Sequence, residues 1–292
     1  MSAFSSCPAL SQKSVTASSE KVVLSASRRT DLVSCYPEHL ARQLENYPPE
    51  TVHTIVIWTK NPEQALRPGP LRTALERYQQ LYVHLTITGL GGSVLEPGIP
   101  PWQDVAAMLP QLIELTKSPH RISWRFDPLV RVQTEQGVIT NSFMFSCIAK
   151  TIHDYGITTC RVSWVEPYPK VLRRMEKKGY LLVPWSEQEK KEQAVRLEQE
   201  AQQFGMRMFY CSVPGFPRSR CIDGELFSRL HPHGAQCSLK KAKGQRTLCG
   251  CTESIDIGWY SLKCKHGCLY CYAEPFIPEP IEKKPIESLA DL

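Results

Sequence analysis

Six short runs of β-branched or aromatic residues, each followed by a helical stretch, constrain this chain's fold more than anything else in it. The runs cover residues 21–26, 52–58, 81–88, 121–127, 159–165 and 206–212; they are 6–8 residues long and begin 29 to 47 residues apart. Between them the spacing predicts helices over 37–46, 71–80, 102–116, 141–154, 169–178 and 187–204. Thr140 suits the start of the fourth. Ser186 with Glu189 forms a capping box for the last, which Gly205 can end. Strand–helix alternation at this spacing implies right-handed βαβ units and a parallel sheet. The expected class is α/β, a (β/α) barrel or partial barrel over residues 21–212, with a doubly wound open sheet as its rival.

Strand alternation adds a second constraint. In the fourth run Ile122, Trp124 and Phe126 share one face, and Arg121, Ser123, Arg125 and Asp127 the other. The third and fifth runs divide likewise: Tyr82, His84, Thr86 and Thr88 oppose Val83, Leu85 and Ile87, and Arg161 and Ser163 oppose Cys160, Val162 and Trp164. Ordinary parallel strands are apolar on both faces. A polar barrel interior is costly unless it binds something polar, so these strands imply a polar ligand. Active sites of such barrels lie at the C-terminal strand ends, which here carry Arg28, Arg29, Asp31, Lys60, Arg125, Asp127 and Glu166. Arg125 and Asp127 can equally form a satisfied ion pair, and His84 a satisfied core histidine.

The 292 residues are 42% hydrophobic, enough for a substantial core, and the formal charge of +6 permits nucleic-acid contact without arguing for it. No apolar stretch approaches the ~20 residues of a membrane span, and residues 1–20 lack the apolar centre of a secretory signal. We expect a cytoplasmic protein with a loose tail over 1–20 and another over 276–292. Residues 213–275 are loop-rich, with one short helix near 224–230. They carry a basic stretch from Lys240 to Arg246, read as a solvated face.

In a reducing compartment twelve cysteines are too many for disulfides. Five fall between Cys249 and Cys271, and that crowding reads as metal binding. Cys264, Cys268 and Cys271 follow the pattern Cys-x3-Cys-x2-Cys. Three thiolates on a four-iron cubane leave one iron open to a ligand. Two other readings stand beside it: a structural zinc on Cys251, Cys264, Cys268 and Cys271, or three core cysteines on one helical face. Cys249, Cys251 and Cys221 are candidates for a second metal site, iron–sulfur or zinc.

Ser25-Ala-Ser-Arg-Arg-Thr-Asp31, Trp58-Thr-Lys-Asn-Pro62, Trp124-Arg-Phe-Asp-Pro128, Cys221-Ile-Asp-Gly224 and the segment from Cys249 to Ala273 resemble an uncharacterised prokaryotic family over about residues 20–275. That family's C-terminal cysteine cluster is similar to the N-terminal cluster of radical S-adenosylmethionine (SAM) enzymes, and the ending from Cys268 to Tyr272 distantly resembles spore photoproduct lyase. The resemblance implies a [4Fe-4S] cluster, SAM as cofactor, and reductive cleavage of SAM to a 5′-deoxyadenosyl radical. It also implies an electron donor such as flavodoxin or ferredoxin, and a small polar or nucleotide-like substrate. Tyr270 would lie beside the adenine. Arg28, Arg29, Asp31 and Glu166 would bind the cofactor, and Arg125, Asp127 and Lys60 would serve catalysis. Because the cysteine loop comes last here, the fold implied is a circularly permuted barrel, with a final strand around 254–260 in the first-strand slot. The Gly-Gly-Glu motif with which radical SAM enzymes usually bind the SAM amino group is missing after the opening strand, where Ser27-Arg28-Arg29-Thr30-Asp31 stands instead. The alternative is a binding module whose cysteines hold zinc or an iron–sulfur cluster and which recognises a nucleotide or nucleic acid without radical chemistry.

Overall fold

The computed structural model describes residues 21–134, 137–211, 213–258 and 261–277. The expected tail over 1–20 and nearly all of that over 276–292 lie outside the described residues. Strands are β1 (Val22–Ala26), β2 (Val52–Thr59), β3 (Leu81–Thr86), β4 (Ile122–Leu129), β5 (Arg131–Thr134), β6 (Gly137–Thr140), β7 (Thr159–Trp164), β8 (Leu181–Leu182), β9 (Arg207–Tyr210) and β10 (Ile255–Asp256). Helices are α1 (Leu32–Cys35), α2 (Pro37–Glu45), α3 (Glu63–Leu66), α4 (Pro70–Glu76), α5 (Trp102–Ala107), α6 (Leu109–Thr116), α7 (Phe145–Asp154), α8 (Pro169–Lys177), α9 (Glu187–Gln202) and α10 (Gly224–Leu230). All six expected strands and all six expected helices are present. The stretch expected as one helix over 102–116 divides at Met108 into α5 and α6, with Pro110 in the first turn of the second.

Seven strands form one parallel sheet in the order β10-β1-β2-β3-β4-β7-β9. From β1 to β9 the order never reverses, so there is no switch point of the doubly wound kind. With right-handed crossovers, a sheet that grows in one direction carries its helices on one face. Accordingly Leu40 and Leu44 of α2, Leu71 and Leu75 of α4, Leu109 and Leu112 of α6, Ile148 and Ile152 of α7 and Leu197 of α9 join one core with the strand face of Leu24, Ile57, Val83, Trp124 and Val162. Each fully buried leucine or isoleucine contributes roughly 1.5–3 kcal/mol. Trp124 anchors this layer: it is wholly buried, stacks on Phe145 at 5.1 Å and donates its indole N–H to the Ile87 carbonyl. Truncating it to alanine costs about 3–5 kcal/mol.

The sheet is not closed. Among the described residues β10 and β9 remain edges, so of the expected barrel or partial barrel the parallel α/β sheet is present and closure is not. The physical reason lies on the inner face. There Val23, Val56, Trp58 and Tyr82 pack against Ile222, Phe227, Cys237 and Cys251, so the loop-rich segment and α10 fill the space that closure would have emptied. The final strand does occupy the slot beside β1, pairing Leu24 with Ile255 and Ser25 with Asp256, but it is two residues long. Residues 259–260 of the expected span lie outside the described residues.

An antiparallel sheet in the order β6-β5-β8 adds to the expected strands. Val130, Val132, Leu182 and the α8 residues Val171 and Met175 form a second core with Cys268, Leu269 and Tyr270. This small sheet and α8 therefore support the cysteine loop. Among the described residues no helix is long and apolar enough to cross a membrane.

Candidate metal centre

The loop from Cys264 to Cys271 is fixed by backbone bonds at both ends and in the middle. Thr30 and Tyr36 donate their hydroxyls to the carbonyls of Leu262 and Lys263, each at 2.7 Å. The Gly98 amide donates to the His266 carbonyl at 3.0 Å, the Leu269 amide to the Leu95 carbonyl at 3.0 Å, and the Phe276 amide to the Cys264 carbonyl at 2.8 Å. Arg174 of α8 donates to the carbonyls of Leu269 and Cys271. Gly267 takes φ 70°, a left-handed turn that a side chain would disfavour. Gly98 is required for another reason: a Cβ there would lie 2.8 Å from the His266 carbonyl oxygen.

This framework brings Cys264, Cys268 and Cys271 within electrostatic reach of one another. Burial raises the thiol pKa of Cys268 and of Cys271. Cys264 moves the other way, to about 6, first because Cys35 hydrogen-bonds it and then because charged His266 lies near. The two sulfurs are 3.9 Å apart, and Cys35 is pushed up in return. Cys35, Cys264 and a ring nitrogen of His266 lie within 4.8 Å of one another, close enough to ligate one metal ion. Among the described residues no such group contains Cys268 or Cys271. One tetrahedral zinc holds thiolates about 2.3 Å from the metal and so under about 4 Å from each other. Cys264, Cys268 and Cys271 are spread more widely than one tetrahedral ion would draw them.

Two polar knots hold the loop against the strand ends. Asp31 caps α1 through Ser34, accepts from the Lys60 amide at 2.9 Å and the Thr59 hydroxyl at 3.0 Å, and accepts from Nε2 of His266 at 2.9 Å. Nδ1 of His266 donates to the Gly98 carbonyl at 3.0 Å. Burial opposes charge on this ring, but the bond to Asp31 prevails and its basicity rises. The second knot is Glu96, 1% exposed, whose Oε1 accepts from Lys60 at 2.8 Å, Thr88 at 2.6 Å and the Tyr270 hydroxyl.

Beside the loop a cavity of about 490 Å³ opens at the C-terminal strand ends. Of the residues expected at the site, Arg28, Arg29, Lys60, Arg125, Asp127, Glu166 and Tyr270 line it. So do Cys271, Cys221, Cys249 and Cys251. Asp31, Cys264 and Cys268 do not line it. The expected ion pair of Arg125 with Asp127 is formed, and Asp127 also accepts from Ser163. Nε of Arg125 is buried without a partner. Lys60 is committed to Glu96 and Tyr270. Arg28 bonds Gln245 and lies over the Trp58 ring, and Glu166 faces Arg246 at 3.8 Å. His84 is a core histidine, donating from Nε2 to the Cys221 carbonyl at 2.7 Å.

Sequence reasoning missed Cys35, Glu96, His266 and Cys211. Cys35 is far from the cysteine run in sequence and meets it through tertiary contacts, among them the bond from the Lys265 amide to its sulfur. Glu96 lies four residues after Gly92 in a turn where the Gly92 amide bonds the Glu96 carbonyl, a connection that no local pattern signals. In the sequence His266 signals only a break in helical character, and its ligand-type ring gains meaning once Asp31 and Cys35 stand beside it.

A family model described as a domain of unknown function (DUF1848) matches residues 23–273. No curated protein and no solved structure matches the chain.

Proposed function

The chain belongs to the DUF1848 family, and on that premise we propose that it is a radical SAM-type iron–sulfur enzyme acting on a small polar or nucleotide-like substrate. The observation that carries this reading is the position of the Cys264–Cys271 loop. It follows an edge strand paired with β1 and presents Cys271 to a cavity at the strand ends that Arg28, Arg29, Lys60, Arg125 and Asp127 also line. Parallel α/β sheets bind ligands at that end, and the volume falls within the usual range for small-molecule sites.

Cys264, Cys268 and Cys271 would hold a [4Fe-4S] cluster, whose open iron would bind SAM and supply the electron that yields a 5′-deoxyadenosyl radical. The chain's own groups fit the remaining tasks. Tyr270 is held by Glu96 and Lys60, so its ring is fixed at the cavity wall. The buried Nε of Arg125 lacks a partner and lines the cavity, and a ligand carboxylate would satisfy it. Asp127 orients that arginine. Asp31 acts by positioning, not by contact. The partial-barrel and permutation readings rest on the same strand order, and reduction would come from a flavodoxin or ferredoxin.

The test is anaerobic reconstitution with iron and sulfide, an electron paramagnetic resonance spectrum of the reduced protein with and without SAM, and an assay for 5′-deoxyadenosine. A cluster signal that changes on adding SAM supports the proposal. A cluster indifferent to SAM, with no 5′-deoxyadenosine formed, overturns it. A second reading, a zinc-holding module that recognises a nucleotide or nucleic acid, is favoured by the Cys35, Cys264 and His266 group. It requires one zinc per chain that Cys35→Ser abolishes, whereas the cluster reading has Cys35→Ser retain its iron.

A further inference from the structure

The cavity wall contains a second set of sulfurs. Cys211 follows β9 and stands apart from the C-terminal cysteines in sequence, yet it lines the same cavity as Cys221, Cys249 and Cys251. Backbone pairing brings these four distant residues together. The Tyr210 amide bonds the Pro217 carbonyl and the Ser219 amide bonds the Tyr210 carbonyl, which ties Cys211 to the segment leading to Cys221. The Gly250 amide bonds the Ser219 carbonyl and the Thr252 amide bonds the Ile222 carbonyl, which lays the Cys249-Gly250-Cys251 turn along the same segment. Gly250 is needed for that approach, because a Cβ would lie 2.8 Å from Cγ of Arg220.

We propose that Cys211, Cys221, Cys249 and Cys251 bind a second iron–sulfur cluster, with all four ligands from protein thiolates. The Cys251 side chain interacts directly with those of Cys221 and Cys249, and Cys211 lies within electrostatic reach of Cys249. Four thiolates need compensating charge. Arg246 approaches the Cys211 sulfur at 3.5 Å, Arg28 lies near Cys249, and Arg125 and Arg161 lie near Cys221. Among the described residues no three of these sulfurs fall within 4.8 Å of one another, which is wider than a single tetrahedral ion draws its ligands. A cluster with four protein ligands has no open iron, so this centre would not bind SAM. It is independent of the Cys264 loop and does not rest on the SAM reading.

Full-length protein reconstituted anaerobically with iron and sulfide tests this. The variant Cys264→Ser/Cys268→Ser/Cys271→Ser keeps about four irons and a matching amount of sulfide per chain, and Cys249→Ser/Cys251→Ser in the same background removes them. In the otherwise native chain, Cys249→Ser/Cys251→Ser halves the iron. If the triple variant is folded by circular dichroism but binds no iron, or binds one zinc, or carries a disulfide among the four by thiol titration, the proposal is overturned. Should the triple variant not fold, an unchanged iron content in Cys249→Ser/Cys251→Ser overturns it equally. Loss of the SAM response with the second cluster intact would count against the Cys264 loop alone.

Discussion

The carboxylate of Asp31 lies 2.9 Å from Nε2 of His266, joining the turn after β1 to the middle of the cysteine loop across 235 positions of sequence. Both groups are nearly inaccessible, at 8% and 5% side-chain exposure. Asp31→Asn keeps an acceptor for the Ser34 cap but removes the charge that His266 meets. We expect a loss of roughly 1–3 kcal/mol in urea unfolding, together with lower iron retention on gel filtration. Unaltered iron retention would confine Asp31 to capping α1.

Gly98→Ala tests the approach of the two backbones. The added methyl meets the His266 carbonyl oxygen at 2.8 Å and its Cα at 2.9 Å, with no flexible side chain to yield. Overpacking of this kind costs about 1–3 kcal/mol. Gly69, where a methyl group would meet nothing within 4 Å, is the control. Thermal unfolding should separate the two substitutions by several degrees.

Glu96 gathers three donors and is itself almost wholly buried. Glu96→Leu leaves Lys60 without its counter-charge, and breaking such a buried pair costs about 3–5 kcal/mol. Tyr270→Phe removes only one hydroxyl and should cost about 1.5–3 kcal/mol, the usual range for a bond to a charged group. Denaturant titration of both variants checks the order; a Tyr270→Phe loss equal to that of Glu96→Leu would contradict the role given to Lys60.

Acid should weaken the segment under the sheet through His231. Its pKa falls from 6.5 to about 4, chiefly by burial and then by the neighbouring His53. Its Nδ1 accepts from the amides of His233 and Ala235, each at 3.3 Å, so the folded state wants a neutral ring. The folded pKa is the lower one, so the unfolded chain takes up the proton first. The contribution is complete above about pH 6.5 and is lost as pH falls toward 4. His231→Asn, which can still accept from those amides, should flatten the dependence of melting temperature on pH across this window. An identical slope would assign the acid sensitivity elsewhere.

The sheet was legible because its strands are short apolar runs whose alternation reports which face meets the helices; Val83, Leu85 and Trp124 could be placed from spacing alone. Helix signals at Ser186 and Glu189 were equally plain, and the capping box forms. The hairpin of β5 and β6 was not legible, since Val132 and Ile139 belong to runs too short to stand out between stronger elements. Nor was closure: the alternation that gives a polar interior is the same whether the sheet rejoins itself or is filled from below by Phe227 and Ile222. At the site, Cys264, Cys268 and Cys271 announce themselves by spacing. Cys35 and Glu96 reach the loop only through tertiary contacts, which no local pattern encodes.

The pairing of β10 with β1 has a consequence for the order in which the molecule is made. Chains emerge from the ribosome N-terminal end first, so β1 appears early and waits, with one edge uncovered, until some 230 residues later its neighbour Ile255 is synthesised. The cysteine loop comes later still. A nascent chain that stops before Asp256 therefore lacks both the edge cover and the thiols of the loop. Under the proposed cluster reading, the loop from Cys264 to Cys271 could take up its metal only in a chain translated past Cys271.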